Sequence, residues 1–509
     1  MELDTRTLTS GAMLDADICV VGAGVAGLVL AAQFVGQGCD VILLESGTHW
    51  PEPEILALND GDVFGDDYAG LRETRHRQVG GTAWMWNTLI QQDIGAKYAP
   101  LDPLDLEKRP SIEHSGWPLP YEELSRYYER AQTICGLGPF AYDAGPWIGG
   151  GRAPFRNAGA LVSRVYQLGT RDTLLSGALP PVLQAGNLRL CTHATVVRLE
   201  TNGSDARVLR ASVASAGSTR WSVRAKHFVL AAGALENARI LLLSGNAAEG
   251  LGNRFGWVGR CFMEHPRDRS LFLIPRSSAT YREAAFYDLH IAGDATAIQG
   301  RFGLAEETVR SERLLNSSAT LLPVLRGGVR RVRETLISVG LPQRLERLLP
   351  DAAHGWARHA PAPQLFEGFN VLLNLEQTPH PDNRLQLGQR RDALGVPVPE
   401  LHWRWRSEDQ MRLERVRTIV ARELEAAGIG KVKVHSSSLP DPNAHHHAGT
   451  TRMSDEPRAG VVDVHGRVHS VDNLCIAGAS VFPTAGFANP VLSIVAMAVR
   501  LADHLKGII

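Results

Sequence analysis

The stretch Asp17-Ile18-Cys19-Val20-Val21-Gly22-Ala23-Gly24-Val25-Ala26-Gly27 decides the fold. Ile18 to Val21 is a short apolar, β-branched run of the kind that forms a strand buried on both faces of a parallel sheet. Three glycines follow in G-x-G-x-x-G spacing, and Leu28 to Gly36, rich in Ala and Leu, reads as a helix. A second strand, Asp40 to Leu44, ends in Glu45. The first glycine makes the turn, the second lets backbone approach a pyrophosphate, and the third lets helix and strand pack closely. Phosphate oxygens would then face N–H groups at a helix N-terminus. Glu45 falls where an acid accepts hydrogen bonds from ribose hydroxyls. An acid there opposes a 2′-phosphate, so NADP is disfavoured against NAD or FAD. The glycines alone would equally suit a surface turn; the strand before, the helix after and the acid at the second strand's tip favour a dinucleotide site.

The bulk numbers point away from large charged partners. The 509 residues carry 53 basic and 54 acidic side chains, a net charge of −1, with 44% hydrophobic and 21% charged residues. No global field recruits nucleic acid or an anionic membrane, so a small molecule is the expected partner. A chain of this length predicts two domains. Six cysteines, Cys19, Cys39, Cys135, Cys191, Cys261 and Cys475, lie scattered with no CxxC pair, which predicts reduced thiols and no metal cage. Met1 to Asp17 holds no apolar signal core, and no apolar run reaches about 18 residues. The expectation is a cytoplasmic protein without a membrane span.

Two later segments select the cofactor. His227-Phe228-Val229-Leu230-Ala231-Ala232-Gly233-Ala234 is a strand running into small residues, followed by a helix from Leu235 to Ser244. Leu474-Cys475-Ile476-Ala477-Gly478-Ala479-Ser480 is a second such strand, with a helix beginning near Pro490. Small residues at strand tips leave room for a long cofactor across the sheet, a layout similar to FAD-binding domains. Near the C-terminus stands His446-His447-Ala448-Gly449-Thr450, followed at some distance by Asn489-Pro490. Together with the glycine fingerprint, these segments resemble the glucose–methanol–choline (GMC) family of flavin-dependent alcohol oxidoreductases. Three further stretches share the resemblance: Arg75 to Asn87, with its Gly80-Gly81-Thr82 turn; Ser115 to Tyr121; and Gly259-Arg260-Cys261-Phe262-Met263-Glu264-His265-Pro266.

The resemblance implies an α/β fold: a Rossmann-like FAD-binding domain beside a substrate domain built on an antiparallel sheet. The FAD domain is expected to be discontinuous, at 12–95, 187–265 and 440–509, with 96–186 and 266–439 forming the substrate domain. Gly368 to Leu375, Arg384 to Leu387 and Leu401 to Trp405 read as strands of that antiparallel sheet. Leu321 to Leu349, with arginines at helical spacing, reads as a solvated amphipathic helix, with a lid or membrane-surface helix as the alternative. The cofactor residues implied are Gly22, Gly24, Val25, Gly27, Glu45, Ser46, Gly81, Thr82, Val196, Ala232, Ala479, Asn489 and Pro490. Relatives that bind FAD covalently use a histidine where this chain has Met85; a thioether cannot form that bond, so noncovalent FAD is expected. Cys135 and Cys191 are too few for the iron–sulfur cluster of some relatives. Gly478 replaces an aspartate common in the family, leaving the Ala479 backbone as the expected cofactor neighbour.

Oxidising an alcohol means removing the hydroxyl proton while the carbinol hydrogen leaves as hydride to flavin N5. A neutral imidazole is a suitable base near neutral pH, and a second side chain must hold the substrate oxygen in line. The resemblance assigns His446 as base and Asn489 as its hydrogen-bonding partner, with His447 structural. Asn489, before a helix start, could also act as a cap. His445-His446-His447 could be a metal tract, but no acid or cysteine is arranged with it in the sequence, so no metal site is expected. The implied reaction is FAD-dependent oxidation of a CH–OH group, of a sugar, cyclitol or other polyhydroxylated metabolite, with O2 or another electron acceptor. A non-redox flavoprotein lyase of the same fold and a flavin-binding regulatory protein stay open as alternatives.

Overall fold

The structure is a computed structural model; it describes all residues except 91–92, 157–158, 216–218, 294, 339–355, 357–361 and 436–438. The fingerprint strand Met13–Val21 lies centrally in an eight-stranded sheet. Val41–Leu44 and then Leu188–Thr192 and Glu2–Asp4 add in parallel on one side. Arg220–Leu230 adds in parallel on the other. Its C-terminal end continues the parallel pairing to Leu474–Ile476, while its N-terminal end pairs antiparallel with Val208–Ala214 and, beyond it, Thr195–Thr201. Ile18 to Val21 and Val41 to Leu44 are all buried. This is the continuous apolar signature that parallel strands covered on both faces require.

Helix Val25–Ala32 follows the glycine loop and is covered in turn by the C-terminal helix Val491–Lys506. The packing leaves no room at Gly27, where an added Cβ would sit 1.9 Å from the carbonyl oxygen of Gly22. Gly22 itself has φ +103, a left-handed conformation that favours glycine.

A second sheet of nine strands is antiparallel throughout: Gly430–Val434, Arg267–Pro275, Phe366–Leu375, Ser317–Leu325, Ala297–Leu304, Leu161–Thr170, Asp93–Tyr98 and Thr88–Ile90 in order, with Leu289–Ile291 on Ala297–Leu304. Helix Ser407–Ala426 packs beside it through Leu413, Val416, Val420 and Leu424, one apolar stripe. A smaller sheet joins Arg384–Arg391 and Pro397–Trp403 antiparallel, with Asp62–Gly65 parallel to the latter.

Several expectations need correction. The strands around 368–375, 384–387 and 401–405 do not share one sheet: Phe366–Leu375 is central in the large sheet, and the other two form the small one. Alternation alone does not say which strand pairs with which. Leu321 to Leu325 is strand, the end of Ser317–Leu325, and the amphipathic helix begins only at Gly327 and is described to Ser338. The arginines beyond it lie outside the described residues. Glu2–Asp4 lies in the first sheet and Thr88–Ile90 in the second. The six cysteines are free. No helix among the described residues is long and apolar enough to cross a membrane.

Gly27→Ala is expected to lower stability by at least about 1–3 kcal/mol, the cost of forcing atoms into a filled space. Gly38→Ala, where an added Cβ meets nothing within 4 Å, is the control. Equal melting temperatures for the two variants would show that the helix can shift to admit the methyl group.

Candidate active site

One long cavity runs across the tips of the parallel strands. Gly22, Gly24, Val25, Glu45 and Ser46 line one part of it, and Gly81, Thr82, Val196 and Ala232 another. Ala479, Asn489, Pro490 and His446 line it as well. Gly27 alone of the residues singled out for a cofactor is absent from the lining, because its side is taken up by Gly22.

The walls are built of small residues and backbone. The loop around Gly80 is stitched to the fingerprint by a parallel bridge with Gly24 and by the Gly80 N–H donating to the Ala23 carbonyl at 2.8 Å. A Cβ on Gly81, which has φ +56, would stand 3.0 Å from the Gly24 Cα, so glycine at this position lets the two loops approach closely. Gly478, at φ +108, takes a conformation that favours glycine, and an added Cβ would meet only Ala26 at 3.9 Å. The first-turn N–H groups of helix Val25–Ala32 have no acceptor within their own helix. A cleft of bare backbone, small side chains and a helix N-terminus suits an extended dinucleotide such as FAD.

Glu45 is tied differently from a free ribose acceptor. Its Oε2 accepts the Ala23 N–H at 2.9 Å and its Oε1 the Gly47 N–H at 3.0 Å. Burial pushes its carboxyl above the usual range against the pull of those two N–H groups. Glu45 therefore shapes the glycine loop and still presents lone pairs to the cavity. Ser46 accepts from Arg77 Nη1 at 3.0 Å.

Beside it lies a charged cluster that sequence reasoning missed. Glu236 binds Arg75 at 2.9 Å and Arg77 at 2.8 Å, with Arg239 at 3.5 Å. Arg75, Arg77 and Glu236 all line the cavity. Burial opposes ionisation of Glu236, yet Arg77, Arg239 and Arg75 together hold its carboxyl well below the carboxylate range. Burial and the neighbouring Arg77 pull Arg75 down to about 10. The two arginines stood in the quoted loop, but their partner Glu236 lies in another segment, so no local pattern linked them.

The histidine end is positioned by one short bridge. Met263 and Ala448 exchange both backbone hydrogen bonds, at 3.0 and 3.1 Å. Glu264-His265 thereby faces His446-His447. The Glu264 carboxylate accepts from the Tyr68 hydroxyl at 2.6 Å, the His446 N–H at 2.9 Å and the His265 N–H at 3.2 Å. Burial, partly offset by those donors, lifts it to about 7. His447 Nε2 lies 2.9 Å from the Tyr68 hydroxyl, and because that hydroxyl donates to Glu264, His447 is the donor here. His446 Nδ1 lies 3.1 Å from His265 Nδ1. The Thr450 hydroxyl donates to the Ala234 carbonyl at 2.6 Å and the Gly449 N–H to the Ala479 carbonyl at 3.2 Å, tying this loop to the turns that follow strands Arg220–Leu230 and Leu474–Ile476.

Two corrections follow. An acid does accompany the histidine run: Glu264, His445 and His447 bring ligand-type atoms within 4.8 Å of one another. The sequence could not reveal it because Glu264 lies 182 residues from His446. Asn489 does not cap the C-terminal helix; Pro490 occupies the cap position, with no side-chain cap bond. The Asn489 amide is thus left for the cavity.

Two family models described as GMC oxidoreductase match residues 155–267 and 379–498. The chain is 26% identical to paromamine 6'-oxidase of Streptomyces fradiae, over 96% of this chain and 91% of that protein. It is 25% identical to the fructose dehydrogenase large subunit of Gluconobacter japonicus, over 97% and 98% respectively. The crystal structure of pyridoxine 4-oxidase from Mesorbium loti superposes with a TM-score of 0.56 at 19% identity, covering 96% of this chain and 99% of that one.

Replacing Glu236 by Gln leaves three guanidinium groups facing one another in a buried site. Breaking a buried pair from one side typically costs about 3–5 kcal/mol, so E236Q should melt markedly earlier and lose bound flavin in parallel. Unchanged melting would mean that water screens the cluster.

Proposed function

The chain belongs to the GMC oxidoreductase family, a family of flavoproteins, and from that premise we propose that it oxidises a CH–OH group using noncovalent FAD. The observation that carries this reading is the meeting of His446 and Asn489 in the same small-residue cavity as the glycine fingerprint. When bound, FAD supplies the two-electron acceptor for the carbinol hydrogen. Gly22, Gly24, Val25, Glu45, Ser46, Gly81, Thr82, Val196, Ala232, Ala479 and Pro490 are the proposed cofactor contacts.

His446 is the proposed base, taking the hydroxyl proton at Nε2. Burial, together with His265, Arg267, His445 and His447, holds its imidazole well below the ordinary histidine range. It is therefore neutral and able to accept a proton at physiological pH. Asn489 holds the substrate oxygen so that the carbinol carbon is aligned with the acceptor. The preferred substrate class is a sugar, cyclitol or other polyhydroxylated molecule, the class suggested by the paromamine and fructose relatives. One of those relatives is named an oxidase and the other a dehydrogenase, so either O2 or another acceptor is compatible with the family. A lyase of the same fold would leave the flavin oxidised when mixed with substrate without oxygen. The test is anaerobic bleaching of the flavin by a panel of D-fructose, D-glucose, myo-inositol and paromamine.

His446→Ala should keep flavin and melting temperature but slow single-turnover flavin reduction about 100-fold or more, the usual contribution of a positioned base. Asn489→Ala should slow it too. His447→Ala, whose ring is held by Tyr68, should do less; a larger loss there, with cofactor retained, would move the base to His447. The pH dependence has a definite sign. A base with a lowered pKa stays neutral as pH falls, so the acid limb of the reduction rate should lie well below about pH 6.5, the ordinary histidine value. A limb at or above that pH would contradict the burial argument. Because Met85 cannot form the covalent link, acid precipitation should release all flavin to the supernatant, and yellow colour kept in the pellet would rule out noncovalent binding.

A further inference from the structure

We propose that His265 is a positioning residue that fixes the proton of His446 on Nδ1, leaving the Nε2 lone pair free toward the cavity. The proposal rests on the reading of His446 as the base. His265 is 1% exposed, and its Nε2 lies 3.2 Å from the carbonyl oxygen of Ala485. A carbonyl only accepts, so His265 Nε2 carries the hydrogen. A neutral imidazole has one N–H, which makes His265 Nδ1 an acceptor. That atom faces His446 Nδ1 at 3.1 Å. Two lone pairs at this distance would repel, so the hydrogen between the rings belongs to His446.

Its second nitrogen is then unprotonated. His446 Nε2 has no hydrogen-bond partner among the described residues, and the ring lines the cavity. The rings meet nearly edge to face, at 73° with centroids 5.2 Å apart. Glu264 holds both residues from behind by accepting their backbone N–H groups. The groups facing the pair are Glu264, Arg267, His445 and His447, with Glu376 acting on His265; burial drives His265 down to about 4, so it stays neutral as an acceptor. Ala485 belongs to the segment leading to Asn489, so the relay also fixes the base relative to its partner. When His446 takes the substrate proton on Nε2, it becomes an imidazolium whose Nδ1–H still donates to His265. No further proton moves.

The test uses the holoenzyme with nitrogen-15 histidine. Long-range proton–nitrogen spectra identify His446 by the signals lost in His446→Asn. His446 should show a protonated Nδ1 and a bare Nε2. In His265→Ala the two nitrogens should become a mixture of both tautomers, and His265→Asn, whose amide oxygen stands near the lost Nδ1, should restore the single form. In parallel, His265→Ala should lower the limiting rate of anaerobic flavin reduction about 10- to 100-fold, as expected for loss of an imidazole-orienting partner. The probe is the fastest-reducing alcohol of the panel; half-saturation should change little and Asn should rescue. A proton found on His446 Nε2 in the wild type, or a tautomer unmoved in His265→Ala, overturns the proposal. Failure of the base reading looks different: His446→Ala would then reduce at the wild-type rate, whatever the spectra show.

Discussion

Phe228, Val229 and Leu230 pair in parallel with Cys19, Val20 and Val21 on one side and with Leu474, Cys475 and Ile476 on the other. Everything functional depends on that double pairing. It joins the two ends of the chain in one sheet and lays the C-terminal helix over the fingerprint helix. The strand tips then open on one common edge, where ligands bind in open α/β sheets. The entropic cost of closing so large a loop rises only slowly with its length. Burial of three consecutive apolar residues on each strand works against it. Asn237 reinforces the junction by accepting the Ala232 N–H at 2.8 Å and donating to Ser480 at 3.0 Å.

Three buried glutamates near this edge show how environment decides the state of one side chain. Glu236 is surrounded by guanidinium groups and stays ionised. Glu45 and Glu264 have backbone N–H groups and a phenol as their nearest partners, and burial raises both. Neutral donors offset only part of the desolvation that full opposite charges overcome. The result is a cavity with an arginine cluster at one region and a histidine cluster, flanked by Glu264 and Arg267, at another.

Much of the first sheet was readable in the chain because its signals are local. Ile18 to Val21 and Leu474 to Ile476 are short apolar runs ended by small residues, Val41 to Leu44 is one ended by Glu45, and two-sided burial makes that pattern distinctive. The second sheet was less readable. Its strands come from separated segments, and the pairing of Phe366–Leu375 with Ser317–Leu325 rather than with Arg384–Arg391 depends on partners remote in the chain. Pro323 and Gly327-Gly328 mark the break between the strand end Leu321 to Leu325 and the arginine-rich helix, and the arginine spacing alone had masked it. Asn489 before Pro490 looked able to cap a helix, yet the backbone places Pro490 itself at the cap.

The family resemblance alone linked the histidine loop with the asparagine ahead of a helix; by itself the sequence determined the fingerprint turn and the small residues at three strand tips. These follow from backbone conformation and local burial, which neighbouring residues dictate. Only the tertiary structure decided what each polar group faces. Glu45 holds the glycine loop, Glu236 gathers three arginines, and Glu264 with His265 orients the histidine pair. Hydrogen bonds and charge interactions act over a few ångströms of space and carry no trace of separation along the chain. A residue's identity therefore announced a capacity, and the fold chose the partner that put it to use.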